Sequence, residues 1–154
     1  MTEIKDSGMR REFESGAVRD ICEGKGRCDL LPLAEVACLL NDVILCEIAG
    51  FMQTHDALYL YNALRYFAAV RYESEAEMIL EVSVHFEDGA KKYGEYNWQK
   101  GLPLSCYLDS GVRHYLKWLR GDEDERHDRA FVWNMLCAIW TRKNLPEMDG
   151  GRRK

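Results

Sequence analysis

The stretch GDEDERHD, residues 121–128, sets carboxylates and an imidazole at spacings that suit a divalent cation. Glu123 and His127 stand at i, i+4 and Asp124 and His127 at i, i+3, so a helical turn would bring oxygen and ring nitrogen to one side. Mg2+ and Mn2+ take carboxylate oxygens, and Mn2+ also accepts histidine, whereas zinc would want more His or Cys than this cluster supplies. The same residues equally suit a charged bend between helices with a capping role.

A second neighbourhood of acid and base is HFEDGAKKYGEYNWQKG, residues 85–101. Glu87 and Asp88 precede Lys91 and Lys92 by about one turn, a pattern also produced by an ordinary surface pair on a helix. Tyr93, Asn97 and Trp98 complete a segment too polar for a core and too aromatic for a common loop. Asn134 follows His127 by two helical turns among Phe131, Val132 and Trp133, so its amide needs either a neighbouring helix or a ligand. His114, in GVRHYLKW, reads as a core histidine or a pocket wall. Gly24-Lys25-Gly26 permits backbone approach to a phosphate but is not a P-loop.

These residues need a scaffold, and the apolar periods supply helices. One helix is predicted from Pro32 to about Gly50, a second across residues 56–73, and a third from near Glu73 to about Tyr93. A fourth is predicted from Leu104 to Leu119 with Ser105 as its cap, and a fifth from about Glu125 to Arg142. Strands find no place. The fold class is therefore all-α, a single-domain bundle of about five helices: an irregular N-terminal arm at 1–31 packed on or over it, the bundle at 32–143, and a flexible tail at 144–154.

With 154 residues, 47% of them hydrophobic, the chain is long enough for one core. A net charge of −5 argues against wrapping nucleic acid, so no direct nucleic-acid binding is expected. No apolar run approaches the roughly 20 residues of a membrane span, and the N-terminus lacks a secretory apolar region. A soluble protein of the bacterial cytoplasm, with no membrane partner, is expected. The six cysteines form no Cys-x-x-Cys pair and are expected as reduced, buried thiols.

Taken in order, FESGAVRDICEGKGRCDLLP, FEDGAKKYGEYNWQKGLP, RHYLKWLRGDED and HDRAFVWN resemble the phage and bacterial family described as the dATP/dGTP diphosphohydrolase N-terminal domain. The resemblance spans roughly residues 13–140, with a poorly matching section at 49–72. That family is regarded as related to MazG-like nucleotide pyrophosphohydrolases, and the resemblance implies hydrolysis of dGTP or dATP to monophosphate and pyrophosphate with Mg2+ or Mn2+. It also implies a homo-oligomer, dimer or tetramer, with the aromatic helix LYLYNALRYFAAVRY as one candidate interface. ERHD, residues 125–128, fits the second half of the MazG pattern E-x-x-E followed by E-x-x-D; no E-x-x-E precedes it.

Family positions make Glu87 and His127 metal ligands, joined by Glu123 and Asp124 on local grounds, with Glu87 or Glu123 orienting the attacking water. Lys92 matches a family lysine expected to meet phosphate. Tyr93 or Trp98 would stack on the purine, and Asn97 would bond its edge or hold the loop. Arg113 and His114 match an Arg-His pair lining the same pocket, Asn134 would read the base or brace His127, and Arg19, Lys25, Arg27 and Asp29 are matched in the arm. A non-catalytic nucleotide-binding or protein-interaction module is the alternative, and a structural helical adaptor a third.

Overall fold

The structure is a computed structural model describing residues 10–20 and 24–150. The all-α expectation holds. The helices are α1 (Leu33–Leu40), α2 (Val43–Thr54), α3 (Leu58–Arg71), α4 (Glu75–Tyr93), α5 (Leu104–Arg120) and α6 (His127–Asn144). The arm carries a small antiparallel hairpin that the sequence pattern did not reveal, β1 (Arg10–Glu12) and β2 (Val18–Asp20).

The single helix expected from Pro32 to Gly50 is two. Asn41 adopts a left-handed φ of 50°, ending α1, and Asp42 starts α2 by accepting from the Leu45 amide at 2.9 Å. The other Asp42 oxygen takes the Tyr115 hydroxyl at 2.5 Å, tying this corner to α5. Short polar side chains that bond nearby backbone compete with a continuing helix, and apolar periodicity does not register that competition.

Ser74 caps α4 by accepting from the Glu77 amide at 3.0 Å, and Lys91 and Lys92 fall in its last turn, favourably placed for the helix dipole. Ser105 is not the cap of α5; Pro103 takes that position and offers no side-chain bond. At the far end Gly121, with φ 89°, turns the chain so that its amide reaches the Lys117 and Trp118 carbonyls. That turn brings residues 122–126 back over the end of α5.

Helix α6 is the central element, buried on nearly all its faces and packed against α3, α4 and α5. Phe67 of α3 meets Phe131 with ring centroids 4.8 Å apart and Trp118 at 5.0 Å. Helices α5 and α6 run antiparallel, with Tyr107 beside Trp133 and His114 beside His127. Gly111 lets them approach: a Cβ there would sit 2.5 Å from the Met135 Cε and 3.2 Å from the Asn134 Cβ. Helix α4 runs parallel to α6, with Glu81 level with Arg129 and Phe86 level with Trp133.

The arm lies along α5, where the Cys28 amide donates to Asp109 at 2.6 Å and Arg113 donates to the Gly26 carbonyl at 2.8 Å. Beyond α6, where a flexible tail is expected, Pro146–Met148 forms a 3-10 turn and Asp149 pairs with His55 and Arg142. The cysteines are not uniformly buried: Cys137 is, Cys28 and Cys106 are partly so, and Cys38 and Cys46 are exposed; Cys22 lies outside the described residues. No described helix is long and apolar enough to cross a membrane.

Candidate functional site

Where α5 ends and α6 begins, two groups of donors share His127. One is His114, Glu125 and His127; the other is Asp122, Asp124 and His127. In each, the potential ligand atoms lie within 4.8 Å of one another. The His127 Nδ1 stands 2.8 Å from the His114 Nδ1, and the His127 Nε2 stands 2.7 Å from an Asp124 oxygen. Two nitrogens bound to one cation at about 2.1 Å stand roughly 3 Å apart, so the facing rings already have a ligand pair's separation. Burial, reinforced by the facing His127, pushes the His114 pKa well below the usual histidine range, which leaves a neutral ring with a lone pair.

Further along the same seam the lining is cationic and amide. Arg19 reaches in from the hairpin, donating to the Ser110 hydroxyl at 2.8 Å and the Asn134 oxygen at 3.3 Å. The Asn134 amide donates to the Ala130 carbonyl at 2.8 Å, so this buried side chain is held at both ends. Arg113 pairs with Asp109 at 2.5 Å, and Arg129 with Glu81 at 2.5 Å. Asp128 is buried among Arg126 and Arg71 at 3.0 Å each. Burial works against its charge, but those partners prevail and hold its pKa low.

A family description, dATP/dGTP diphosphohydrolase, N-terminal, matches residues 61–150, more than half the chain. The protein belongs to the dATP/dGTP diphosphohydrolase N-terminal family. No curated protein and no solved structure matches it. The family segment runs from α3 to the end of α6 and contains both donor groups and Asn134. Arg19, Lys25 and Arg27 of the arm lie outside it.

Within this family member the residues expected from sequence fall in three places. Asp124, His127 and His114 come together; Arg19 and Asn134 line the seam beside them, while Arg113 faces Asp109 of its own helix and Gly26 of the arm. Glu123 does not join either donor group: α6 begins only at His127, so the i, i+4 spacing never becomes a helical turn, and Glu123 is exposed. Glu87 is not brought to His127 within the chain. It is level with Met135, eight residues or about 12 Å along α6, and its exposed carboxylate pairs with Lys91 at 3.3 Å.

The third place is the segment after α4. Lys92 and Tyr93 occupy the last turn of α4, partly buried, and Asn97 is buried in a 3-10 turn, Asn97–Lys100. The Trp98 ring packs edge-on against Phe86 at 5.9 Å and Trp140 at 5.1 Å, some 20 Å along α6 from His127. In the arm, Lys25 and Arg27 are exposed, and Arg27 forks onto the buried Asp29 at 2.8 Å. Glu125 carries the ERHD match but was not singled out as a ligand, and Asp122, His85 and Ser110 were not assigned a role; Asp122 and Glu125 join through the turn at Gly121, which the sequence signals only as a helix end.

Proposed function

We propose that this protein hydrolyses a purine deoxynucleoside triphosphate, dATP or dGTP, to the monophosphate and pyrophosphate at the seam between α5 and α6, with Mg2+ or Mn2+ as cofactor. The observation that carries the reading is the convergence of His114, His127 and the carboxylates of Asp122, Asp124 and Glu125 at the end of a seam otherwise lined by Arg19, Ser110 and Asn134. Two imidazoles among carboxylates suit Mn2+ better than Mg2+.

A divalent cation held there supplies neutralisation of the polyphosphate and a more acidic water. Asp124, bonded to the His127 Nε2, fixes that ring so that its Nδ1 faces His114. Glu125, partly exposed, takes the proton as the water oxygen bonds to the α-phosphorus and the bridging oxygen leaves with pyrophosphate, while the Arg120 fork holds Asp122 ionised. Asn134, anchored by Ala130 and Arg19, stands two turns along α6 from His127, within the span of a nucleotide. The reading includes a homo-oligomer, supported by Leu58, Tyr66 and Val70, exposed at four- and eight-residue spacing along one face of α3.

The test is incubation with dATP or dGTP and Mg2+ or Mn2+, followed by chromatography with pyrophosphate and orthophosphate detected separately. Monophosphate with intact pyrophosphate is expected. Folded protein that binds nucleotide with Mn2+ yet yields no monophosphate would make the chain a non-catalytic nucleotide-binding module.

A further inference from the structure

We infer that Arg19 and His85 together form an anion subsite, which takes a phosphate group of the substrate and of released pyrophosphate. The inference deepens the proposed reaction and rests on it.

Arg19 differs from the other arginines packed against the helix core. Arg113 faces Asp109, Arg129 faces Glu81, and Arg71 and Arg126 face Asp128. Among the described residues Arg19 has no carboxylate partner. Its contacts are a hydroxyl, an amide oxygen and the faces of Tyr107 and Trp133, with its Cζ 5.6 and 5.7 Å from those ring centres. Its Nη1 is buried and has no hydrogen-bond partner there. A sequestered guanidinium without a counter-charge costs stability unless an anion completes it, and phosphate oxygens match its fork.

His85 supplies an independent observation at the same indole ring. Its ring lies against Trp133, 5.8 Å between centroids, so Trp133 carries the imidazole and the guanidinium together. Among the described residues His85 makes no hydrogen bond, although it is partly buried on a helix where Glu81 is paired with Arg129 and Glu87 with Lys91. Arg129 and Arg19 are cations acting on it, and Asp128, which opposes them, is already held by Arg71 and Arg126. An anion between Arg19 and His85 would receive donors from both. Arg19 also brings the hairpin with it, so the subsite joins the arm to the bundle through the ligand.

The experiment is calorimetric titration of the full chain with inorganic pyrophosphate in EDTA, so that no cation contributes. The intact protein binds. Arg19→Gln weakens binding about tenfold or more, Arg19→Lys by less because the charge remains, and His85→Phe, which keeps a ring on Trp133 but no donor, weakens it about fivefold. Arg65→Gln, a surface cation over Tyr61, leaves binding as it was. If Arg19→Gln loosens the hairpin by circular dichroism or melting, His85→Phe decides alone. Absence of pyrophosphate binding by the intact chain, or binding by His85→Phe equal to the parent, overturns the subsite. dNTP turnover is assayed in parallel. Pyrophosphate binding without turnover sinks the proposed reaction and spares the subsite; turnover without pyrophosphate binding does the reverse.

Discussion

At the α5–α6 seam polar side chains meet one another; in the loop after α4 they border a stack of rings. His127 has a carboxylate on one nitrogen and an imidazole on the other, and Arg19 and Asn134 continue the polar surface along α6. Trp98, by contrast, is wedged between Phe86 and Trp140, and its carbonyl accepts the Tyr107 hydroxyl at 3.3 Å. Both regions hold aromatic and ionisable residues in close sequence. What separates them is which groups their neighbours present: donors converging on one volume at the seam, apolar edges closing the bundle at the loop.

The largest effect that would sharpen this contrast is at the seam. His127→Gln is expected to lower turnover of dATP or dGTP by about a hundredfold or more while the melting curve stays cooperative, and EDTA is expected to abolish turnover with Mn2+ restoring it. Steady-state kinetics with each cation checks both; full activity in His127→Gln would remove the seam as the site. At the loop, Trp98→Ala is expected to cost about 2–3 kcal/mol of stability with little change in turnover per folded molecule. Denaturant titration paired with kinetics reads this, and a selective rise in KM would put the loop back among the nucleotide contacts.

A smaller effect concerns acid. Burial, with Arg129 and Arg19 adding to it, lowers the His85 pKa from 6.5 to about 4. The folded chain then binds fewer protons than the unfolded one between those values, so this contribution is intact above about pH 6.5 and is lost as pH falls towards about 4. The ring is only partly buried, so the loss is on the order of 2 kcal/mol. Unfolding midpoints at pH 7.5 and 4.5 measure it, and His85→Phe should flatten the difference. The smallest expected effect is Glu87→Gln, within about twofold in turnover, because the structure leaves that carboxylate on a surface pair with Lys91. A collapse of activity there would mean that a second copy of the chain delivers Glu87 to a seam.

Helix positions were largely legible: α3, α4 and α5 each carry an apolar period long enough to define a face, whereas α6, buried on nearly all its faces, carries none and was marked by the charged bend before it. The break at Asn41-Asp42 and the hairpin were not: one depends on side chains bonding backbone, the other on strands of three residues each. For the candidate site, Asp124 and His127 were visible as neighbours in sequence. The i, i+4 spacing of Glu123 has meaning only inside a helix, and α6 starts too late to include it.

The amino-acid sequence by itself determined the all-α class, the acidic cluster before α6 and the likeness to a nucleotide-hydrolysing family, since each is written in local order and spacing. Tertiary structure decided which residues share a volume. The antiparallel packing of α5 on α6 across Gly111 sets His114 against His127, thirteen residues apart. The parallel run of α4 carries His85 to Trp133 and keeps Glu87 from His127. The hairpin places Arg19 beside Asn134, 115 residues away in sequence. Such pairings arise from the direction and closeness with which helices pack, properties of whole faces that no short stretch of sequence contains.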